Sequence, residues 1–139
     1  MAEATVREAM TSSPHSIQSR GSVVEAARTM ASANVGSLPV VDGENLVGMV
    51  TDRDLVTQVL AKDLDPSKVV ISEVCSEAPV VASPDEPLDQ ALQRMAQEQV
   101  RRLPVVADGR LVGILAQADV ARTAKPESTG QMVEQISQG

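Results

Sequence analysis

The sequence predicts an α/β (α+β) fold built twice from one unit, and three observations carry that prediction. Sliding the 139-residue chain against itself by 65 positions aligns residues 6–60 with 71–125 without a gap. Fourteen of those pairs are identical, among them Pro14/Pro79, Met30/Met95, Val35/Val100 and Asp54/Asp119. Ordinary residue usage would give about three or four, so the match marks an internal repeat. Each half also carries an apolar stripe at helical spacing, then two Val/Leu/Ile-rich runs separated by Asp-Gly, the signal of a tight hairpin.

The elements follow in chain order. Thr5-Val-Arg-Glu8 reads as a capping box opening a short helix, and Ser22-Val-Val-Glu25 as another opening a longer one. In the longer helix Val23, Ala26, Ala27 and Met30 form one apolar stripe. Leu88, Ala91, Leu92 and Met95 repeat it, with Pro87 marking the first turn. Runs 38–41 and 46–50 flank Asp42-Gly43, while runs 103–106 and 111–115 flank Asp108-Gly109. A second helix then carries Leu55, Val56, Val59 and Leu60, matched by Val120, Ala121 and Ala124 before Pro126 ends it. The chain thus divides into repeat 1 (1–62), a linker (63–70) with an Asp65-Pro66 turn, repeat 2 (71–125) and a polar tail (126–139). Within the tail, residues 132–136 have the spacing of a short docking helix. One half is too small for a secure core and would leave a sheet face bare, so two halves packed face to face form the folding unit.

Composition narrows the function classes. With 42% hydrophobic and 22% charged residues the chain is expected to fold rather than stay disordered. A formal charge of -7 gives no field toward phosphate backbones or anionic membranes, so neither nucleic acid nor membrane is an expected partner. Cys75 and His15 are the only residues of their kinds, too few for a zinc site of about four ligands. Cys75 is expected as a small buried hydrophobe and His15 as a loop residue. The start MAEATVREAM is too polar for a signal peptide, and no apolar run nears the ~18 residues of a membrane span, so a cytoplasmic location is expected. Phe, Tyr and Trp are absent, so any bound purine must lie against aliphatic side chains or backbone.

The phrases LPVVD, LVGMVTDRDL and RRLPVV recur in the frame h-P-V-V-x(4–5)-L-V-G-h-h-[T/A]-x-x-D at a constant offset. Over about residues 5–125 this resembles a tandem pair of cystathionine-β-synthase (CBS) domains, the Bateman module. It is similar also to the small stand-alone bacterial two-CBS proteins of the mycobacterial hypoxic-response type. The resemblance implies a β-α-β-β-α unit twice over, packed through the sheets with a pseudo-two-fold axis. It also implies two clefts for adenosine-type ligands, and two chains joined as a disc.

Thr51 and Asp54 are the leading candidate site residues. A carboxylate fixed at a helix start can accept hydrogen bonds from both hydroxyls of a ribose, and such charge-assisted bonds are the stronger kind. The Thr51 hydroxyl and the free first-turn amides face a sugar or phosphate oxygen. The family gives these roles to the matching Ser/Thr and Asp, which the resemblance carries onto Thr51, Asp54 and Asp119. T-x-x-D is equally a capping box, favourable with no ligand, and both readings stand at this level. The second half has Ala116 in place of the Thr, a typical loss of ~1 kcal/mol, yet keeps Asp119.

The segments before each LPVV add further candidates. Val35-Gly36-Ser37 offers a glycine that admits close backbone approach. Val100-Arg101-Arg102 offers two guanidinium groups suited to phosphate; pairing with Glu98 or Asp108 is the alternative for them. Arg53 is a weaker phosphate candidate. By the resemblance, adenine would lie against backbone around Ser16-Ile17 in one cleft and Val81-Ala82 in the other. The clefts are therefore expected to differ, with one adenosine nucleotide per chain.

The chain has no Walker-type loop, Ser/His/Asp set or metal cluster, so an enzyme is not expected. The expected function is a non-catalytic sensor with AMP, ADP or ATP as regulatory ligand, S-adenosylmethionine or a dinucleotide following. It would have no tightly bound cofactor, and would act as a homodimer on an unknown protein partner. The alternative is a ligand-free dimerising scaffold or stress-related interaction protein.

Overall fold

Short helices and hairpins recur in the computed structural model, which describes residues 4–77 and 80–123, the side chains of 121–123 excepted. In chain order these are α1 (Val6–Ala9), β1 (Thr11–Ser12), β2 (Ile17–Gln18), α2 (Val23–Ala33), β3 (Ser37–Asp42), β4 (Asn45–Thr51) and α3 (Asp52–Leu55). After the linker come α4 (Leu88–Glu98), β5 (Arg102–Ala107), β6 (Arg110–Ala116) and α5 (Gln117–Thr123). The described residues fall into two compact units, one within 15–79 and the other joining 1–14 to 80–139.

These units do not coincide with the sequence repeats, because each takes its leading segment from the other repeat. In the 15–79 unit, β2 runs parallel to β3, β3 pairs antiparallel with β4, and Ser76 bridges Met49 on β4. In the second unit, Ala82 bridges Val105 in parallel, β5 pairs antiparallel with β6, and β1 pairs with β6 through Thr11 and Ile114. Thr11 and Ser76 hold matched positions in the two repeats, as do Met49 and Ile114. The helix starts follow the same exchange. The Val23 amide donates to the Val69 carbonyl at 3.1 Å, and the matched Leu88 amide to that of Ala4 at 2.8 Å.

The exchanged segments supply core as well as hydrogen bonds. Val6 and Ile71, matched by the repeat, are both fully buried: Val6 among Leu88, Met95, Leu103 and Leu115, Ile71 among Met30, Leu38, Val40 and Val50. Each such burial stabilises by about 1.5–3 kcal/mol. The exchange also explains the repeated LVG. A Cβ on Gly48 would run into the Ser76 carbonyl oxygen, and one on Gly113 would stand 2.9 Å from that of Thr11.

Several sequence expectations change in detail. Thr5 starts α1 but its side chain caps nothing. The first-turn amides of Val6 and Arg7 instead donate to the carbonyls of Glu86 and Pro84, so the exchanged backbone does the capping. Ser22 does cap α2, accepting the Glu25 amide at 3.1 Å, whereas Pro87 lies just before α4 rather than within its first turn. The first hairpin turns on Gly43-Glu44, since Asp42 still pairs with Asn45 as the last residue of β3. Only Gly43 has positive φ there, whereas Asp108 and Gly109 both do, as expected for the second turn. The two hairpins thus use different turn types, II′ and I′.

The helix after β4 widens at Val56–Leu60, where Ala61 donates to the Val56 carbonyl five residues back. Of its predicted stripe only Val59 is buried, while Val56 and Leu60 are 53% and 62% exposed. Ala27 is likewise exposed, unlike Val23, Ala26 and Met30. Asp65 caps the linker turn, accepting the Ser67 amide and hydroxyl. Ala124, Pro126, the 132–136 segment and Pro79 lie outside the described residues.

Candidate functional site

In the 15–79 unit the hairpin ends bring Gly36, Ser37, Thr51 and Asp54 together. Ser37 lies opposite Thr51 in the β3/β4 register, and the Asp52 amide donates to the Gly36 carbonyl at 2.9 Å. Val35 leads into this corner after Asn34, whose left-handed backbone (φ 56°) ends α2. Thr51 and Asp54 form a full capping box. Thr51 Oγ1 accepts the Asp54 amide at 3.0 Å, and Asp54 Oδ2 accepts the Thr51 amide at 2.9 Å. Both residues are half-buried, and the reciprocal bonds fix the carboxylate while leaving Oδ1 without a described partner.

Asp52 is a residue that the sequence reading passed over. Its Oδ2 lies 3.1 Å from where a Cβ on Gly36 would stand, so a second carboxylate borders the corner. Its Oδ1 accepts the Arg53 amide at 2.8 Å, and the Arg53 side chain is exposed. Ile17 is buried and pairs with Val40, three residues along β3 from Ser37, a rise of about 10 Å. Ser16 and Ile17 therefore stand apart from the Thr51/Asp54 corner, on the strand at the other edge of β3.

The second unit has the same corner with different chemistry. The Gln117 amide donates to the Arg101 carbonyl at 2.9 Å, and Arg102 lies opposite Ala116. Arg101 and Gln117 thus replace Gly36 and Asp52, exchanging a carboxylate for a cation. Arg101 is exposed and Arg102 half-buried, and neither pairs with Glu98 or Asp108. Val100 is half-buried and follows Gln99, a left-handed residue matched to Asn34. Asp119 Oδ2 accepts the Thr11 hydroxyl at 3.1 Å, a bond delivered by the exchanged segment. That partner is 108 residues away in sequence, so no local motif announces it.

Ala82 is buried, and its amide and carbonyl are both engaged with β5. Beside it stands an ion pair absent from the sequence reading. Arg94 on α4 binds Glu86 through two bonds of 2.9 and 2.7 Å and donates to the Val81 carbonyl at 2.7 Å. The guanidinium holds the Glu86 carboxyl below its usual range despite partial burial, and the carboxylate raises Arg94 in turn. Cys75 is half-buried against the core of its unit. Among the described residues no group of three or more His, Cys, Asp or Glu side chains could hold a metal ion, and no helix is long and apolar enough to cross a membrane.

Comparison with known proteins gives a consistent picture. The family model described as "CBS domain" matches residues 6–61 and 71–125. The chain is 39% identical over 134 residues to the CBS domain-containing protein YhcV of Bacillus subtilis, covering 96% of this chain and 95% of that protein. It is 33% identical over 133 residues to Hypoxic response protein 1 of Mycobacterium tuberculosis, covering 95% and 93%. Among solved structures, Hypoxic Response Protein I with two coordinated zinc ions superposes with a TM-score of 0.79 at 33% identity, covering 88% of this chain and 100% of that one. CBSX2 in complex with AMP gives 0.74 at 33%, covering 86% and 95%. The CBS domain pair of MJ0100 with 5-methylthioadenosine and S-adenosyl-L-methionine gives 0.71 at 31%, covering 86% and 98%.

Proposed function

Because the chain belongs to the CBS-domain family and carries two such domains, we propose that it is a non-catalytic regulatory module whose ligand is an adenosine-containing nucleotide. The observation that carries this reading is the corner of the 15–79 unit. There a half-buried carboxylate is oriented by a reciprocal cap, with Oδ1 of Asp54 open beside Ser37 and the backbone of Gly36. An oriented carboxylate oxygen is the acceptor that a ribose diol needs. AMP in CBSX2, and 5-methylthioadenosine with S-adenosyl-L-methionine in MJ0100, support the ligand class. AMP, ADP and ATP come first, bound reversibly.

In this reading the ligand acts by binding one packing of the module better than another, and it shifts the balance only by that difference. The working form is a cytoplasmic homodimer acting on a protein partner. A groove of about 370 Å³ on the 15–79 unit supports the dimer, being lined by Val23, Val24, Ala27, Ala31, Leu55 and Leu60.

The second reading is a dimerising scaffold without ligand. It is favoured by the capping box itself, which satisfies Thr51 and the Asp54 amide without any nucleotide.

Thermal unfolding with AMP, ADP, ATP, S-adenosylmethionine, NADH or no addition separates the two. Ligand at 100 times its Kd adds about 2.7 kcal/mol, which raises Tm by several degrees. A rise with one adenosine ligand, lost in Asp54→Ala, is the expected result. No rise with any of them leaves the scaffold.

A further inference from the structure

Each repeat turns its hairpin at an Asp-Gly pair, Asp42-Gly43 and Asp108-Gly109, and the structure separates two dipeptides that the sequence makes alike. Both pairs are exposed. Asp42 is the last residue of β3 and pairs with Asn45. The Gly43 amide donates to Gln18 Oε1 at 3.0 Å, and Gln18 Nε2 donates to the Gly43 carbonyl at 3.1 Å. The first pair is thus clamped from β2. In the second unit Ala107 and Arg110 are the last partners of the hairpin, so Asp108-Gly109 is the whole loop. Ser83 holds the position of Gln18, and its own amide goes to Glu86. Among the described residues neither the Asp108 carbonyl nor the Gly109 amide has a hydrogen-bond partner.

An aspartate followed by glycine closes a five-membered succinimide readily, because no side chain shields the glycine nitrogen. Closure needs Cβ eclipsed with that nitrogen, which sets the aspartate ψ at about -120°, the value at the first central residue of a type II′ turn. Asp108 has φ 52° and Gly109 φ 81°, the signs of a type I′ turn, whose first ψ is about +30°. The two turns differ by one flip of the 108–109 peptide, and both match the twist of the flanking strands. Gly109 accepts either sign of φ. Asp108 is strained in the flipped turn, so that loop is a minor state and the ring closes slowly from it. At Asp42 the same flip would break the pairing with Asn45 and the bond to Gln18.

We propose that Asp108 is a site of spontaneous backbone isomerisation to isoaspartate, and that Gln18 protects Asp42 from the same reaction. The Gly109 nitrogen attacks Cγ of the protonated Asp108 carboxyl, and the carboxyl OH leaves with the amide proton as water. Water then adds to the Asp108 carbonyl carbon, breaks its bond to nitrogen and returns a proton to the amide. Gly109 is left joined through Cγ, with the former carbonyl carbon a free carboxyl group. The product has the same composition but one more methylene in a two-residue loop, which puts Ala107 and Arg110 out of register.

The test is peptide mapping of the full chain after weeks in warm, mildly acidic buffer, with isoaspartate identified by chromatography and electron-transfer fragmentation. Isoaspartate is expected at 108 at least fivefold faster than at 42 in the folded chain, and at converging rates in denaturant. Gln18→Met removes both clamp bonds at nearly constant volume, and it should speed position 42 at least threefold and leave 108 unchanged. Equal rates at the two sites of the folded chain overturn the assignment, as does isoaspartate at neither when both form in denaturant. A Gln18→Met protein that unfolds cooperatively yet keeps position 42 protected overturns the role of Gln18.

Discussion

Gly113 and Thr11 touch across the exchange that builds the second unit: a Cβ on Gly113 would stand 2.9 Å from the Thr11 carbonyl oxygen and closer still to Met10 Sδ. The Met10 side chain can move, but the Thr11 carbonyl is held by the pairing of β1 with β6. Gly113→Ala therefore forces β1 off its partner and is expected to cost about 1–3 kcal/mol. Val47→Ala, at an exposed position on β4, is expected to change stability by less than about 0.5 kcal/mol. Chemical denaturation of the three proteins reads the difference directly.

The capping box makes a separable prediction for Thr51. Removing its hydroxyl leaves the Asp54 amide without its acceptor, so Thr51→Ala should lose about 1 kcal/mol. Thr51→Ser keeps the acceptor and should recover most of it. If Thr51 acts only as a cap, nucleotide-induced stabilisation is the same in both variants. If its hydroxyl also meets the ligand, Thr51→Ser alone retains it.

Glu86 and Arg94 set a pH window. The folded-state pKa of Glu86 is lowered by Arg94, so its contribution is fully present above the unfolded value near 4.5. It is lost as pH falls through the lower folded value. Glu86→Gln removes the ion pair at every pH, and with side chains only 15% and 30% exposed its cost at pH 7 is expected to be about 1.5–3 kcal/mol. Unfolding free energies of the two proteins should converge as pH falls below 4.5 and through the lower folded value, and a gap that stays constant throughout that fall would rule the coupling out.

How much of this was legible in the sequence depends on range. The repeat, both long helices and both hairpins were readable, because caps, 3.6-residue stripes and Asp-Gly pairs are local signals. Ser22 and Leu88 show this well. The Thr5 cap failed for the opposite reason: the carbonyls that satisfy α1 come from Glu86 and Pro84, which no window around Thr5 contains. The Asp42-Gly43 turn slipped by one residue because Asp42 can still pair as strand, and only the register with Asn45 decides it. At the candidate site, the capping box of Thr51 and Asp54 was legible in their spacing. Thr11 on Asp119 and Arg94 on Val81 were not, since each joins segments that only the exchange or a helix face brings together. The charge contrast of Asp52 against Gln117 was visible in the aligned repeats, as was that of Gly36 against Arg101. It became informative only once Gly36 was seen to border Asp52.

The apolar groove on α2 carries the last prediction. Ala27 belongs to the helical stripe by spacing yet is exposed, and Val56, Leu60 and Leu64 remain 53%, 62% and 45% exposed on the same unit. Val56 and Leu60 stand at the two ends of the widened turn, and of that turn only Val59 faces the core. Apolar groups left in water along a groove gain about 25 cal/mol per Å² when a second surface covers them, and a homodimer is the occupant that the proposed function supplies. Light scattering should then give twice the 14.6 kDa of one chain. Ala27→Glu places a carboxylate in the groove without entering the core, so it should yield a folded monomer with an unfolding free energy that no longer rises with protein concentration. A wild type that is monomeric at tens of micromolar would instead leave this face to a different protein.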